Sequence, residues 1–498
     1  MSTPVTRRTY GNWRITRSPG LGALGTVGTI MLLFGAICMI VALARFGLLG
    51  GGVVAVVVGA VLGLALRRDR HGRSVIDRLV TRVGWLRARA AGADLYRSGP
   101  LSRTPWGSTQ LPGLAAALTL TEHTDSYGRQ FALIHSPSQS TYTVVFTGDP
   151  DGGSLVDQET IDAWVASYGG WLAMLSDEPQ LIGVAVTIET APDSGIRLRQ
   201  EVNAATSPSA PAFARAMLAD ILDSYPAGAS TVRAHVALTF RGARASRDRD
   251  ATEMGRDLAA RLPGLSSTLE ETGVRSVRPV TSADLCEHVR TAYDPAAEIL
   301  FDRARQEGGG PPRLSWPDVG PAAAQASWDS YRHDGAVSTS WVMSAPPRDN
   351  VPSSILARLL APRGDIARKR VTILYRPMDA GHAAARVEAD KRTAEWTVNS
   401  ARRPSARATR ALQQATRTAE EEAAGAGLVD FGVVVTATVL AGDDLDELHA
   451  TMDTLSAAAR LTLRPAYGAQ DVAFVTTLPL GILPHLHASP ATRLREAL

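Results

Sequence analysis

The sequence predicts a mixed α/β (α+β) fold, in which an N-terminal two-helix transmembrane hairpin precedes two cytoplasmic units of ferredoxin-like, split-βαβ type. Three observations lead to this prediction: two adjacent apolar runs between arginine-rich flanks, an alternation of strand-like and helix-like segments after them, and a repeat of that alternation in the second half. The predicted domains are 1–73 (hairpin with basic flanks), 74–113 (juxtamembrane helix and linker), 114–307 (first unit), 308–325 (Gly/Pro-rich linker), 326–484 (second unit) and 485–498 (tail).

The two apolar runs extend from about Gly20 to Ala44 and from about Leu48 to Leu66. A membrane-spanning helix needs roughly 20 apolar residues, so each run is long enough to cross a bilayer. The connector holds one arginine, Arg45, whereas each outer flank holds four: Arg7, Arg8, Arg14 and Arg17 before the runs, and Arg67, Arg68, Arg70 and Arg73 after them. The positive-inside rule therefore predicts a multi-pass membrane protein with both termini in the cytoplasm.

Two other interpretations of the apolar runs are disfavoured by the sequence. A cleaved signal peptide has a single apolar stretch, whereas here a second one follows at once. A buried hairpin of a soluble protein is disfavoured because Val53–Leu66 contains only Val, Ala, Gly and Leu and so offers water no polar face. Small residues recur every four positions at Gly51, Ala55, Gly59 and Gly63, which predicts close approach of a helix of the same hairpin or of another subunit.

Basic residues continue beyond the second run, on a predicted helix. Arg78, Arg82, Arg87 and Arg89 alternate there with apolar residues, which is compatible with a helix lying on anionic lipid headgroups or with an ordinary solvated flank. The net charge of the chain is only +3, and basic residues elsewhere are mixed with acidic ones, so no direct nucleic-acid binding is expected. The two cysteines, Cys38 and Cys286, fall in different environments and predict no disulfide bond.

Strand-like and helix-like segments alternate through the soluble first half. Strands are predicted at Thr141–Thr147, Leu181–Glu189, Thr231–Phe240 and Val274–Val280. Helices are predicted at Gln158–Leu175, Pro211–Tyr225, Thr252–Thr272 and Ser282–Thr291, the third of them broken or restarted near Pro263 and Gly264.

A Gly/Pro run at 308–312 then predicts a linker, and a similar order follows it. Strands are predicted at Ala336–Ser344, Val371–Tyr375, Phe431–Leu440 and Leu461–Tyr467. Helices are predicted at Ser353–Leu360, Ala383–Ala424 (interrupted near Pro404) and Asp444–Ala459, with a last short element at Val472–Leu478. The order and spacing of the elements, rather than sequence identity, indicate an internal duplication.

No motif for chemistry was found in the sequence. A phosphate-binding loop needs a G-x-x-x-x-G-K-[ST] string, and none occurs. No H-E-x-x-H, C-x-x-C or G-x-S-x-G string occurs either. His485 and His487 in the tail are interpreted as solvated. The acidic run Asp443, Asp444, Asp446 and Glu447 is interpreted as the start of a helix, where carboxylates accept free N–H groups. No catalytic, cofactor or metal residue is predicted, and no enzyme activity.

Two parts of the chain resemble components of transfer machines. The segment from Tyr10-Gly-Asn-Trp-Arg14 to Arg73 resembles the small two-helix inner-membrane subunits of type IV secretion and conjugation systems. The C-terminal half resembles the N-terminal, non-ATPase domain of the Cag/Trb/VirB conjugation ATPases. The matching stretches are Ala326–His333, Trp341, Pro346-Pro347, Leu428–Leu440, Asp444–Leu448 and Ala473–Pro479. The chain also resembles an actinobacterial membrane-protein family over most of its length.

These resemblances imply a function. In the ATPase family a nucleotide-binding module follows the last Leu-Pro stretch, and here it does not, so the resemblance implies a separate ATPase polypeptide. We expect a structural subunit that docks a hexameric ATPase and other secretion-channel subunits, as an oligomer within a complex. A membrane subunit of a type VII secretion complex and a membrane-tethered enzyme remain alternatives; a deep polar pocket between the two halves would favour the enzyme.

Overall fold

The computed structural model describes residues 8–11, 13, 25–67, 69, 71, 73, 75–99, 102, 108–150, 152, 156–193, 202–207, 209–224, 230–244, 247–306, 314–347 and 350–488. The predicted Gly/Pro linker at 308–312 and several arginines of the basic flanks (Arg7, Arg14, Arg17, Arg68 and Arg70) lie outside these residues. The described part is a mixed α/β structure with antiparallel sheets, as the sequence predicts at this coarse level.

The N-terminal part contains one long apolar helix. The elements of this part are β1 (Thr9–Tyr10), the apolar helix α1 (Gly25–Leu66), α2 (Val75–Ala90) and β2 (Leu95–Arg97). Within α1, Leu32–Leu64 is long and apolar enough to cross a membrane. The helix is interrupted at Gly47, whose φ of 68° and ψ of −163° are not helical. Such a backbone conformation strains any residue that carries a Cβ atom, so glycine is suited to this break.

The two arms of α1 contact each other across the break. A Cβ atom added to Gly35 would meet the side chain of Val58 at 2.5 Å, and one added to Gly51 would meet Leu43 at 3.1 Å. Gly59 and Gly63 have open space instead. Of the three glycines in the predicted stripe of small residues, Gly51 is therefore the one that approaches the other arm.

The rest of the described chain, which we call the body, consists of two halves. The elements of the first half are β3 (Thr119–Thr124), β4 (Gln130–Ser136), β5 (Thr141–Pro150), α3 (Gln158–Asp177), β6 (Leu181–Pro192), α4 (Ala212–Ser224), β7 (Ser230–Arg241), β8 (Ala243–Arg244), β9 (Arg247–Asp248), α5 (Ala251–Glu270), β10 (Val274–Pro279), α6 (Ser282–Tyr293) and α7 (Ala297–Gln306).

The second half repeats much of this order. Its elements are β11 (Ala323–Ala326), β12 (Tyr331–His333), β13 (Ala336–Ala345), β14 (Val351–Pro352), α8 (Ala357–Leu360), β15 (Arg368–Pro377), α9 (Ala380–Asn399), α10 (Ala406–Ala423), β16 (Val429–Leu440), α11 (Leu445–Ala458), β17 (Thr462–Pro465) and α12 (Gln470–Thr476).

One antiparallel sheet runs through both halves. Its path is β2-β11-β12-β13-β16-β15-β6-β7-β5-β4-β3, with β10 paired to β5 and β17 paired to β13. The order β10-β5-β7-β6 in the first half therefore corresponds to β17-β13-β16-β15 in the second. The halves join edge to edge where β6 pairs with β15, from Lys369 opposite Thr190 to Tyr375 opposite Val184. The middle pair of this junction is Thr372 opposite Thr187.

Three apolar cores cover the two faces of this sheet. On one face, α3 and α5 cover the first half around Trp171 and Leu258, and α11 covers the second half around Trp341 and Met452. On the other face, α6 and α12 share a single core that spans both halves, around Val289, Tyr293 and Phe474. Because each half contributes side chains to this common core, the two halves are packed together rather than strung out.

Two expectations from the sequence need revision. Strands β3 and β4 were not predicted, because their polar and apolar residues do not alternate cleanly. The helix α5 is not broken at Pro263 but passes through it. Proline lacks the N–H that would bond the carbonyl of Ala259. The backbone N–H and the hydroxyl of Ser126 donate to that carbonyl instead, at 3.3 and 3.1 Å, so the helix continues without an unsatisfied group.

Candidate functional site

A cleft of about 770 Å³ opens where the two halves meet, at one end of the sheet. Strands β6 and β16 end there, and β7 and β15 begin there. Most of the charged side chains around it are acidic. The lining carboxylates are Asp193, Glu298, Asp302, Asp365, Asp443, Asp444 and Glu447, and the lining arginines are Arg233 and Arg368. With seven carboxylates against two guanidinium groups, the cleft attracts cations.

The acidic run at 443–447 lies at the start of α11, as the sequence predicts. The carboxylate of Asp444 accepts the backbone N–H of Asp446 at 2.8 Å and caps α11, and Asp443 accepts the N–H of Leu440 at 2.9 Å. The structural interpretation is confirmed, and the same carboxylates also line the cleft. Among the described residues, no group of three or more His, Cys, Asp or Glu side chains is arranged to hold a metal ion.

A buried charge network forms the floor of the cleft. Arg368 at the start of β15 donates to Glu189 on β6 and to Glu298 on α7. Arg233 on β7 lies 3.3 Å from the other oxygen of Glu298. The antiparallel register between β6 and β15 brings these side chains together, because Arg370 lies opposite Glu189 on the sheet face that α6 covers.

Arg370 is the second buried cation of this network. Its Nη1 lies 3.5 Å from Glu189, its Nε donates to the Thr477 hydroxyl at 3.2 Å, and its guanidinium group lies 4.8 Å from the Phe474 ring centroid. Burial lowers the pKa of Arg370 to about 10. Burial alone would raise the pKa of the Glu189 carboxyl, but the positive charges of Arg368 and Arg370 outweigh it and lower this pKa.

A pair of buried histidines extends the network. The ring centroids of His235 and His288 lie 4.3 Å apart, and Nδ1 of His288 lies 3.9 Å from Glu189. Burial lowers the pKa of His235 to about 4 and that of His288 well below its usual value, so both rings are neutral at pH 7. Three arginines and two glutamates then leave the network with one excess positive charge.

Several buried polar atoms of the network lack a hydrogen-bond partner within the described residues. They are Nε of Arg368, Nη2 of Arg370, Nδ1 of His235 and Nε2 of His288. Sequence reasoning missed the whole network, because the histidines and arginines that form it are scattered along the chain. The pairing of β6 with both β15 and β7, together with the packing of α6, brings them together.

A Ser–His pair lies elsewhere in the body but is closed to solvent. Nε2 of His333 lies 2.7 Å from the Ser338 hydroxyl, which in turn lies 2.7 Å from the Thr438 hydroxyl. The other ring nitrogen faces the Tyr293 carbonyl oxygen. His333 and Ser338 are fully buried, and burial lowers the pKa of His333 to about 3. With no access for a substrate, this pair joins α6 to the sheet rather than serving as a nucleophile and base.

An exposed apolar stripe lies on α4, which lies between β6 and β7 in the chain. Phe213, Met217 and Ile221 recur every four residues and are 76%, 52% and 46% exposed. Pro192 and Asp193, on the N-terminal side of α4 in the chain, and Thr231 on its C-terminal side all line the cleft. The helix α4 therefore lies, in the chain, between two strands whose ends line the cleft.

The helix α2 is fixed to the opposite region of the body by aromatic contacts. The rings of Trp85 and Trp328 meet edge to face at 5.4 Å, and Arg82 lies 4.5 Å from the Trp328 ring centroid. Trp328 in turn stacks on Tyr467. Nearer the N-terminus, Trp13 packs on Phe431 at the beginning of β16, with 5.4 Å between the ring centroids.

Comparison with known families reaches only the N-terminal region. Residues 17–77, which include α1, match the family described as "Domain of unknown function (DUF8461)". No curated protein matches the chain.

Proposed function

We propose that this chain is a non-enzymatic, membrane-anchored structural subunit of a type IV-like secretion or conjugative DNA-transfer apparatus, and that its body docks a separate hexameric ATPase. The observation that carries the proposal is that the N-terminal segment and the acidic cleft lie at opposite ends of β16. The N-terminal segment meets β16 at Phe431, and the acidic cleft lies beside Leu440 at the other end of that strand. These two ends are about 30 Å apart at roughly 3.3 Å per residue.

In this proposal α1 anchors the chain as a hairpin that crosses the membrane twice. Gly35 and Val58 are 23 positions apart in the sequence. In a straight helix they would be separated by about 35 Å, at roughly 1.5 Å per residue. Their contact supports a fold-back at Gly47. A hairpin puts both basic flanks on the cytoplasmic side of the bacterial inner membrane, which agrees with the positive-inside rule.

The helix α2 would lie on the membrane surface beside this anchor. Leu79, Val80 and Leu86 are exposed on it, although they are large and apolar. Arginines flank them in the sequence, so one face of α2 offers apolar side chains and guanidinium groups to anionic lipid headgroups. Because the Trp85–Trp328 contact holds α2 to the second half, this placement would also set the orientation of the body.

The repeated strand order supports a duplicated architecture. In each half the order of the four central strands is that of a split βαβ unit, with the first and third strands at the centre and the second and fourth outside them. A body of two ferredoxin-like units joined through β6 and β15 presents a long rigid surface. Such a surface suits a scaffold that holds a partner at a fixed distance from the membrane.

The docking surface for the ATPase would be the acidic cleft together with the α4 stripe. The cleft supplies negative charge and the stripe supplies apolar area, and exposed apolar stripes on a soluble body commonly mark protein interaction sites. A complementary partner presents basic side chains beside apolar ones. Opposite charges of this kind speed association and select the partner.

Co-purification from detergent-solubilised membranes tests this function. A conjugation-type ATPase encoded beside this chain is expected to co-purify with it, and to be reduced by Glu447→Lys, because Glu447 is exposed at the cleft. Glu420→Lys makes the same charge change on α10, which does not line the cleft, and should retain the partner. Recovery of the chain without an ATPase in every nucleotide state would contradict the proposal, as would ATP hydrolysis by the purified chain alone.

A membrane-tethered enzyme is the second candidate, and the cleft itself favours it. A cleft of about 770 Å³ between the two halves has the size of a small-molecule site. The lining carboxylates are groups that can serve as general acids and bases. Turnover of a substrate by the purified chain, lost on Glu447→Gln but not on Glu420→Gln, would favour this candidate over docking.

A further inference from the structure

The helices α9 and α10 form a protrusion that contacts itself more than the body. They pack antiparallel, and their base is held by a small cluster of Met378, Ala383, Val387, Ala419 and Leu428. Beyond Val387, α9 contains no fully buried residue, and α10 contains none at all. A helix the length of α9 extends about 30 Å. The distal part of this hairpin is thus an unsupported arm.

Charge divides this arm into two parts. The tip, which we define as residues 391–410, carries six basic side chains and one acidic one, a net charge of +5. The basic residues are Lys391, Arg392, Arg402, Arg403, Arg407 and Arg410. The remaining parts of the two helices, 380–390 and 411–423, carry two basic and five acidic side chains, a net charge of −3. The positive charge is therefore concentrated where the arm lies farthest from the body.

An exposed tryptophan lies within this basic tip. Trp396 is 71% exposed, although it is among the largest apolar side chains in the chain. It lies in α9, four residues after Arg392 and six residues before Arg402. Tryptophan beside basic residues is typical of segments that rest at a membrane–water interface, because the ring enters the headgroup layer while the cations pair with anionic lipid.

The arm begins at the end of the second half where the N-terminal segment joins it. Pro377, the last residue of β15, pairs with Val429, and two residues later Phe431 packs on Trp13. The chain that leaves α1 returns to the same end, because Asp69 and Arg73 interact electrostatically with Arg464 on β17. Both connections to the apolar helix therefore attach near the base of the arm.

From the charge, the exposed ring and this location, we infer that the tip of the α9–α10 arm binds the anionic headgroups of the membrane that holds α1, with Trp396 inserted among them. The inference rests on the proposed membrane anchor. It adds a second attachment point beside α2, so that the body is held to the bilayer at two places and cannot swing freely about the linker.

Fluorescence of the full chain in lipid nanodiscs tests the inference. The probe is a nanodisc of phosphatidylcholine and phosphatidylglycerol in which the acyl chains are brominated, since bromine quenches tryptophan that enters the bilayer. The Trp396 signal is the difference between wild type and Trp396→Phe. We expect this difference signal to be weaker in brominated discs than in unbrominated ones. In the Arg402→Glu/Arg403→Glu variant, and in brominated discs of phosphatidylcholine alone, the signal should be as strong as in unbrominated discs.

A matched control variant completes the test, and the possible outcomes separate failure of the inference from failure of the proposed membrane anchor. Arg386→Glu/Arg417→Glu makes the same charge change near the base of the arm and should leave the quenching as in wild type. A chain that enters nanodiscs but shows an unquenched Trp396 would overturn the inference and leave the tip to a protein partner. Equal quenching with and without phosphatidylglycerol would also overturn it. A chain that does not enter nanodiscs at all would instead overturn the proposed anchor.

Discussion

The hydroxyl groups of Thr187 and Thr372 lie 2.8 Å apart at the middle of the β6–β15 pair, where the two halves of the sheet meet. A comparable pair occurs inside each half: Thr143 with Thr239 at 3.0 Å, and Ser338 with Thr438 at 2.7 Å. These two pairs join equivalent strands, β5 with β7 and β13 with β16. The halves are therefore related not only in strand order but also in the polar contacts that cross their strands.

The Thr187–Thr372 contact predicts non-additive effects of substitution. Thr187→Val or Thr372→Val alone leaves one buried hydroxyl without a partner and should lower the free energy of unfolding by about 1–3 kcal/mol. The double variant removes both hydroxyls and should cost less than the sum of the two. Denaturant unfolding of the full chain in detergent measures all three. Additive losses would show that the two hydroxyls do not interact.

Substitution of Glu189 should lower the free energy of unfolding by more than either threonine substitution does. Glu189→Gln leaves Arg370 buried without a carboxylate partner and Arg368 with Glu298 alone, which destabilises by about 3–5 kcal/mol. Thermal unfolding should show a clear fall in the midpoint. Adding Arg370→Met to this variant removes the unpaired charge and should restore part of the loss. A wild-type midpoint for Glu189→Gln would contradict the proposed role of this carboxylate.

Acid should destabilise the body through the buried histidines. The unfolded chain binds protons at a histidine pKa of about 6.5, whereas burial lowers the pKa of folded His235 to about 4. The folded state therefore binds fewer protons between these values, and its stability decreases as pH falls from 6.5 to 4, on the order of 2–3 kcal/mol for this ring. Below pH 4.5 the stabilising effect of the Glu189 carboxylate, whose pKa is lowered, is lost as well.

Unfolding of the full chain at a series of pH values checks this dependence. The variant His235→Leu/His288→Leu should show a flatter curve between pH 6.5 and 4, because neither position can then take up a proton on unfolding. An unchanged slope in this variant would mean that other groups cause the loss of stability in acid.

Periodicity explains most of the fold that could be predicted from the sequence. The strands β7 and β16 are long β-branched runs, and α9 and α10 are continuous Ala-rich helices around Pro404, so local pattern alone marks them. The continuity of α5 through Pro263 could not be predicted, because it depends on Ser126, a residue more than a hundred positions away. Pairing of β6 with β15 likewise depends on tertiary packing.

The candidate site was much harder to predict than the fold. Asp443 and Asp444 follow a strand and precede a helix, so their capping role could be inferred locally. Glu189, His235 and His288 are isolated along the chain, and Arg370 ends the basic run 368–370, so no short motif distinguishes these buried groups from surface ones. An arginine and a glutamate within β-branched runs, at positions that face the core, were the available signal.

The conformation of α1 can be measured directly. Spin labels at Leu33 and Leu64, both exposed, should be roughly 10–20 Å apart if the arms fold back at Gly47, against roughly 46 Å in a straight helix. Gly35→Leu should lengthen the measured distance, because a side chain there collides with Val58, whereas Gly59→Leu should leave it unchanged. A single distribution near the longer distance would contradict the hairpin.

Labelling of single cysteines in intact and permeabilised cells tests the central claim, that a hairpin holds the body on the cytoplasmic side of the membrane. In a Cys38→Ser/Cys286→Ser background, Tyr127→Cys on an exposed turn of the body should react with a membrane-impermeant maleimide only after permeabilisation. Phe46→Cys at the break in α1 should react in intact cells. Labelling of Tyr127→Cys in intact cells would contradict the account.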